Sequence, residues 1–267
     1  MKAKEKFILI TGGSRGIGRA ITLSQASKGT VIFVNYLRDE ESAEKMKKEA
    51  QRKGARVHLV PGNVGDPESV LSILKSVRGK THRLDALVHN AALGVFKPVS
   101  ELRVKDWDIS LDVNAKALLM LSQAALPLMK ARGGKILAVS SLGSQRYTPN
   151  YGAIGISKAA LENLVRYLAV ELAPHRVRVN AVSGGLIETD SLKITESFQI
   201  KVDANFIFDP VRIANEYNKH YVTIADKLAS IADKLASNIP DIDYVPTRQV
   251  PLICNSFVLL TTGAYEI

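Results

Sequence analysis

A chain of 267 residues with 46% hydrophobic and 23% charged residues can bury a sizeable core as one large domain, or as one domain with an appendage. No uninterrupted apolar window reaches the ~18 residues of a membrane span. A lone Cys254 excludes an internal disulfide and a cysteine-rich metal site, so a reducing, cytoplasmic setting and no metal are expected. The net charge of +10 suits phosphate-bearing ligands or an acidic carrier protein. Lys and Arg are spread along the chain without a dense block or interleaved aromatics, which points away from nucleic acid.

The charged start, Met1 to Lys6, enters a short apolar run, Phe7-Ile-Leu-Ile10. The run ends in glycines, so it reads as a first strand and not as a leader peptide. It passes straight into Thr11-Gly-Gly-Ser-Arg15-Gly-Ile-Gly18, and Arg19-Ala-Ile-Thr-Leu-Ser24 continues as a helix. Strand, glycine turn and helix together make a phosphate-cradling unit. Glycines admit the backbone to a pyrophosphate, and the helix N-terminus supplies N–H groups and partial positive charge. Gly12, Ser14, Arg15, Gly16, Ile17 and Gly18 are the expected contacts; the bland alternative is a tight strand–helix turn.

Val31 to Tyr36 is the second expected strand. Its end is where a dinucleotide fold often places an acid on the adenosine ribose. Here Asn35, Tyr36, Leu37 and Arg38 stand there instead. Arg15 and Arg38 could both reach a 2′-phosphate, which favours NADPH over NADH against the counter-argument of Asp39 and Glu40. A Lys/Glu-rich helix follows from Glu40 to Lys53, then a strand from Arg56 to Val60. Asn63 and Val64 sit where a strand end could hold an adenine ring. Asp66-Pro67 opens another helix in the N-cap manner. Asp85 to His89 is the next strand, ending in Asn90-Ala91-Ala92, and Trp107 to Lys130 is a long helical stretch containing Asn114. A mid-helix Asn ordinarily makes a structural hydrogen bond. Lys135 to Ser140 and Arg176 to Val182 complete six strands alternating with helices. That pattern predicts an α/β fold: a doubly wound parallel sheet in three α/β/α layers, with ligands at the carboxyl ends of the strands. The glycine loop, Asn63, Asn90, Ser141 and the segment after Val182 all fall at those ends.

Between the last two strands runs Thr148-Pro-Asn-Tyr151-Gly-Ala-Ile-Gly-Ile-Ser-Lys158-Ala-Ala-Leu-Glu162. At about 100° per residue, seven steps bring Lys158 back to within about 20° of Tyr151. Both side chains can therefore face one pocket, about 10 Å apart along the helix axis.

Thr11-Gly-x-x-x-Gly-x-Gly18, Asn90-Ala-Ala92, Asn114, Ser140-Ser141, Tyr151 and Lys158 together resemble the short-chain dehydrogenase/reductase family over residues 5–192. The resemblance implies a Rossmann-type fold, a nicotinamide cofactor, hydride transfer and a homodimer or homotetramer. It implies catalytic roles for Asn114, Ser141, Tyr151 and Lys158, and cofactor contacts from Asn90, Ala91, Ala92, Lys158, Gly184, Ile187 and Thr189. Most members carry Tyr-x-x-x-Lys, but here Ile154 stands four residues before Lys158. The seven-residue spacing is similar to that of the enoyl-acyl-carrier-protein reductase branch. The neighbourhood from Ser140 to Tyr151, with Val182-Ser-Gly-Gly-Leu-Ile-Glu-Thr189, looks most like the type III enzymes of bacilli. The implied substrate is an enoyl thioester on acyl carrier protein, reduced by NADPH in fatty-acid synthesis. A 3-oxoacyl reductase and a cofactor-binding protein without turnover are the alternatives. Lys158 would hold the nicotinamide ribose and favour tyrosinate character in Tyr151.

Residues 193–267 do not match the family pattern and are expected as a separate C-terminal segment. Tyr217, Tyr221, Ile224, Leu228, Ile231 and Leu235 alternate by four and three, predicting a heptad-like amphipathic helix over about 210–238. Phe257 to Leu260 reads as a replacement last strand.

Overall fold

The computed structural model describes residues 5–184 and the strand 257–260. Ile187, Thr189, the boundary near Leu192 and the heptad-like run all lie outside the described residues.

The chain alternates strand and helix as the hydrophobic pattern requires: β1 (Lys6–Thr11), α1 (Gly16–Gln25), β2 (Thr30–Tyr36), α2 (Glu40–Arg52), β3 (Arg56–Pro61), α3 (Pro67–Arg78), β4 (Ala86–His89), α4 (Val104–Leu111), α5 (Ala117–Met129), β5 (Gly134–Ser141), α6 (Gly152–Glu171), β6 (Val177–Gly184) and β7 (Phe257–Leu260). Among the described residues these strands form one seven-stranded sheet in the order β3-β2-β1-β4-β5-β6-β7. The first six run parallel. The expected final strand does form, and it lies antiparallel on β6, with Gly184 opposite Phe257.

The sheet is apolar on both faces, as a parallel sheet covered by helices must be. Leu9, Val31 and Phe33 pack toward α3, α5 and α6, while their neighbours Ile8, Ile10, Ile32 and Val34 pack toward α1 and α2. The period of two along each strand places alternate residues in the two layers. Each fully buried Ile, Leu or Phe contributes about 1.5–3 kcal/mol to holding them together.

Two helix starts follow from local chemistry. The Asp39 carboxylate accepts from Ser42 N at 2.9 Å to cap α2, and Asp66 does the same for Ser69 N at 2.9 Å with Pro67 in the first turn of α3. The expected long helix from Trp107 to Lys130 starts earlier, at Val104, and is not uniform. A π-helical turn, Asp112–Lys116, joins α4 to α5. Such turns insert one extra residue and redirect side chains; here the redirected residue is Asn114.

Strand order reverses at β1 and β4, which pair with Thr11 opposite His89. The two strands lead away in opposite directions, so their carboxyl ends open the crevice in which such sheets bind ligands.

Candidate active site

The glycine loop between β1 and α1 is built for close approach of backbone. Gly12 and Gly16 both have positive φ, +59° and +53°, where a side chain would be strained. A Cβ on Gly18 would stand 2.0 Å from the Gly12 carbonyl oxygen, so only glycine lets α1 begin so tightly against the strand end. Unlike α2 and α3, α1 has no side-chain cap at its start. Its first N–H groups are thus available to an anion. Asn90 fixes this loop, its amide donating to Thr11 O at 3.2 Å and Gly12 O at 3.0 Å. Ser14 is buried, Ile17 half-buried and Arg15 exposed; at the end of β2, Tyr36 is buried and Arg38 exposed. Asp39, the acid nearest that end, caps α2, and Arg15 helps hold its carboxyl below the usual range after the Ser42 hydrogen bonds. Asn63 makes a local turn with Gly65 N at 3.0 Å, and Val64 is buried beside it. These strand ends fit a dinucleotide in shape and chemistry.

Tyr151 caps the start of α6 and points its hydroxyl back to the end of β5, donating to Ser141 Oγ at 3.2 Å. Its ring lies against Gly143, where a Cβ would come within 2.5 Å of two ring carbons. Phe96 meets the ring from elsewhere, at 5.7 Å between centroids. Burial raises the pKa of the Tyr151 phenol, opposed by the Ser141 hydrogen bond. The expected tyrosinate character is therefore corrected: the phenol keeps its proton. The reason is where Lys158 goes. Its Nζ donates to Val139 O at 2.6 Å, one residue past the point where β4 stops pairing with β5 at Ala138. Lys158 is 4% exposed, and burial pushes its pKa down to about 8, opposed by the nearby Glu162 charge.

Ile154, four residues before Lys158, is buried. It packs so closely on Gly94 that a Cβ there would lie 2.3 Å from Ile154 Cγ1. That position is filled by apolar packing, leaving Tyr151 as the phenol of the site.

Asn114 stands where expected, but its side chain is fully committed to structure. Its carbonyl oxygen accepts from Leu93 N at 2.8 Å, and its amide donates to Leu93 O at 2.9 Å and Ser157 Oγ at 2.8 Å. It thereby ties the π turn to the loop after β4 and to α6. Of the remaining expected cofactor contacts, Ala91 N donates to Thr11 Oγ1 at 3.1 Å, Ala92 is exposed and Gly184 is buried at the end of β6.

Two buried titratable residues beside the site were missed in the sequence. His89 is fully buried. Its Nε2 lies 3.1 Å from Asn114 O and its Nδ1 lies 3.2 Å from Thr11 Oγ1. A carbonyl can only accept, so the proton sits on Nε2. Thr11 then donates to Nδ1 and accepts from Asn90 N and Ala91 N, both at 3.1 Å. Burial, with the Lys158 charge nearby, lowers the His89 pKa to about 3, so the ring stays neutral. A histidine closing the apolar strand Ala86-Leu-Val-His89 was the available signal. The second is Glu162, buried one helical turn after Lys158. A carboxylate on the lysine's face of an amphipathic helix was its signal.

This arrangement, a glycine cradle at the β1–α1 turn with Tyr151 and Lys158 bonded to Ser141 and Val139 near the carboxyl end of β5, has known counterparts. A family model described as enoyl-(acyl carrier protein) reductase matches residues 12–239. The chain is a short-chain dehydrogenase/reductase. A 1-cyclohexenylcarbonyl-CoA reductase of Streptomyces collinus is 42% identical over 185 residues, which are 69% of this chain and 66% of that protein. The chain thus spans just under two thirds of that relative. The 3-oxoacyl-[acyl-carrier-protein] reductase FabG of Staphylococcus aureus (strain Mu50) is 34% identical over 69% of this chain and 76% of its own length. Among solved structures, a metagenomic short-chain oxidoreductase in complex with NADP is similar with a TM-score of 0.71 at 26% identity, covering 88% of this chain and 92% of its own. An NAD+-bound xylitol dehydrogenase gives 0.75 at 26%, covering 89% and 94%. As a member of this family, the chain has a Rossmann-like fold. No helix among the described residues is long and apolar enough to cross a membrane.

Proposed function

We propose that this short-chain dehydrogenase/reductase is an NADPH-dependent enoyl-thioester reductase, acting on trans-2-enoyl groups carried by acyl carrier protein or coenzyme A in fatty-acid synthesis. One observation carries the reading: the site's phenol is Tyr151, seven residues before Lys158, while the place four residues before is occupied by buried Ile154.

The spacing has a chemical consequence. In ketone reduction, hydride arrives one bond from the oxygen that needs a proton. In conjugate reduction it arrives at the β-carbon, three bonds away. The acid must then stand farther from the hydride donor, and three residues of helix supply about 4–5 Å. When bound, NADPH supplies the hydride. The glycine loop and the α1 N-terminus would hold its pyrophosphate, Arg15 and Arg38 its 2′-phosphate, and Lys158 its nicotinamide ribose. Tyr151 turns its one hydrogen from Ser141 Oγ to the thioester oxygen as negative charge develops there, and the enolate takes up a solvent proton at its α-carbon. Ser141 then donates its own hydrogen to the phenol oxygen and holds it in place.

The name of the Streptomyces relative also describes a conjugated enoyl thioester, which supports this reading. The FabG relatives support a 3-oxoacyl reductase as the second reading. Turnover with NADPH of a crotonyl thioester against an acetoacetyl thioester decides between them. The proposal expects the first to be preferred by about 100-fold or more, a difference of about 2.7 kcal/mol in transition-state stabilisation. Preference for the acetoacetyl thioester would replace it with the second reading.

A further inference from the structure

Glu162 is a charged side chain held almost wholly out of water, 4% exposed, on the face of α6 that carries Lys158. One of its carboxylate oxygens lies 2.5 Å from Ser140 Oγ and 2.6 Å from Ser144 Oγ; the other accepts from Gln145 Nε2 at 3.4 Å. These three residues bracket Ser141. Ser144 Oγ also lies 2.7 Å from Ser141 O. The segment that presents Ser141 to Tyr151, and Gly143 to the Tyr151 ring, is thereby fastened to α6 at three points. A carboxylate moved from water into a protein interior costs several kcal/mol unless hydrogen bonds and charge compensate. Both are present: two hydroxyls and an amide on the oxygens, and the Lys158 ammonium one turn away.

We infer that Glu162 is a positioning residue of the active site. It clamps residues 140–145 to α6 so that Ser141 meets the Tyr151 hydroxyl, and it is the fixed counter-charge that keeps Lys158 a cation. The inference rests on the reading of Tyr151 and Lys158 as the working pair. Glu162, one turn along α6, acts electrostatically on Lys158, and Lys158 acts in the same way on His89 of β4. His89 is neutral, so Glu162 supplies the compensating charge.

Two variants separate clamp from charge. Glu162→Gln keeps a carbonyl oxygen for the serines and removes the charge. Glu162→Leu removes both. Glu162→Leu is expected to lose about 10- to 100-fold in kcat through misplacement of Ser141 and Tyr151. Its dissociation constant for NADPH should stay within about twofold, because the glycine loop is untouched. Glu162→Gln should keep kcat within about threefold at neutral pH or below. Its alkaline limb, where Lys158 loses its proton, should move to lower pH by about one unit. The same downward move should appear without substrate, in the Lys158 signal of protein labelled at lysine Cε and followed by carbon NMR. An unmoved Lys158 midpoint in Glu162→Gln, or wild-type kcat in a folded Glu162→Leu, overturns the inference. A wild-type protein that reduces neither thioester overturns the functional reading instead, and the NMR midpoint still decides the role of Glu162.

Discussion

Tyr151 donates its phenol hydrogen to Ser141 Oγ at 3.2 Å, joining the cap of α6 to the last residue of β5. The bond lowers the Tyr151 pKa against the larger effect of burial, so the phenol stays protonated and aimed. Tyr151→Phe is expected to cut kcat by about 10²- to 10³-fold, the loss of one donor to a developing oxyanion. Ser141→Ala, which only frees the phenol to wander, should cost about 10-fold. Fluorescence titration with NADPH should give unchanged affinity in both variants.

Lys158 shows function set against stability. Its folded-state pKa is lowered to about 8 from 10.5, so the folded chain resists carrying the charge. Between those values the unfolded chain binds more protons, and the stability of the wild type rises with pH across that window. Below it the burial cost is present in full. Lys158→Met should therefore be inactive yet more stable at neutral pH, by about 1–2 kcal/mol after the lost Val139 contact. The advantage should shrink as pH rises toward 10.5. Thermal unfolding of both proteins across that range checks the sign.

His89 shows the same sign of pH dependence in a lower window. Its pKa falls from 6.5 to about 3 in the folded chain, so acidification protonates the unfolded state first. Stability should fall as pH drops below 6.5, by about 1.4 kcal/mol per unit. In His89→Asn this contribution to the slope should vanish. The variant should also be weaker at neutral pH, by about 1–3 kcal/mol, because Asn114 O and the Thr11 hydroxyl lose partners. Denaturant unfolding at a series of pH values measures both effects.

Two glycines should separate turnover from cofactor binding. A methyl group at Gly143 meets the Tyr151 ring, whereas one at Gly18 meets the Gly12 carbonyl. Gly143→Ala should lose about 10- to 100-fold in kcat by displacing the phenol while binding NADPH normally. Gly18→Ala should lose NADPH affinity itself, because it opens the loop that α1 closes.

Most of the described fold was legible because its signals are local. Apolar runs bounded by glycines marked the strands, and Asp66-Pro67 marked a helix start. The π turn at Asp112–Lys116 was not legible: the change of register costs one residue and leaves the amphipathic pattern looking continuous. Tyr151 and Lys158 were found by their spacing. His89 and Glu162 were overlooked because their meaning depends on burial beside Asn114 and Lys158, which no local pattern reports. The Val139 O partner of Lys158 was not legible for a related reason, since that carbonyl is available only where β4 has stopped pairing.

The central claim is hydride delivery to the β-carbon with Tyr151 as donor to the thioester oxygen. It is tested most directly with NADPH deuterated at its transferable position, a crotonyl thioester and mass analysis of the product. The account predicts a butyryl thioester with one deuterium on the β-carbon, formed by the wild type and nearly lost in Tyr151→Phe. Deuterium found instead on the carbinol carbon of a 3-hydroxybutyryl product from the acetoacetyl thioester, with no label entering the crotonyl thioester, would contradict it.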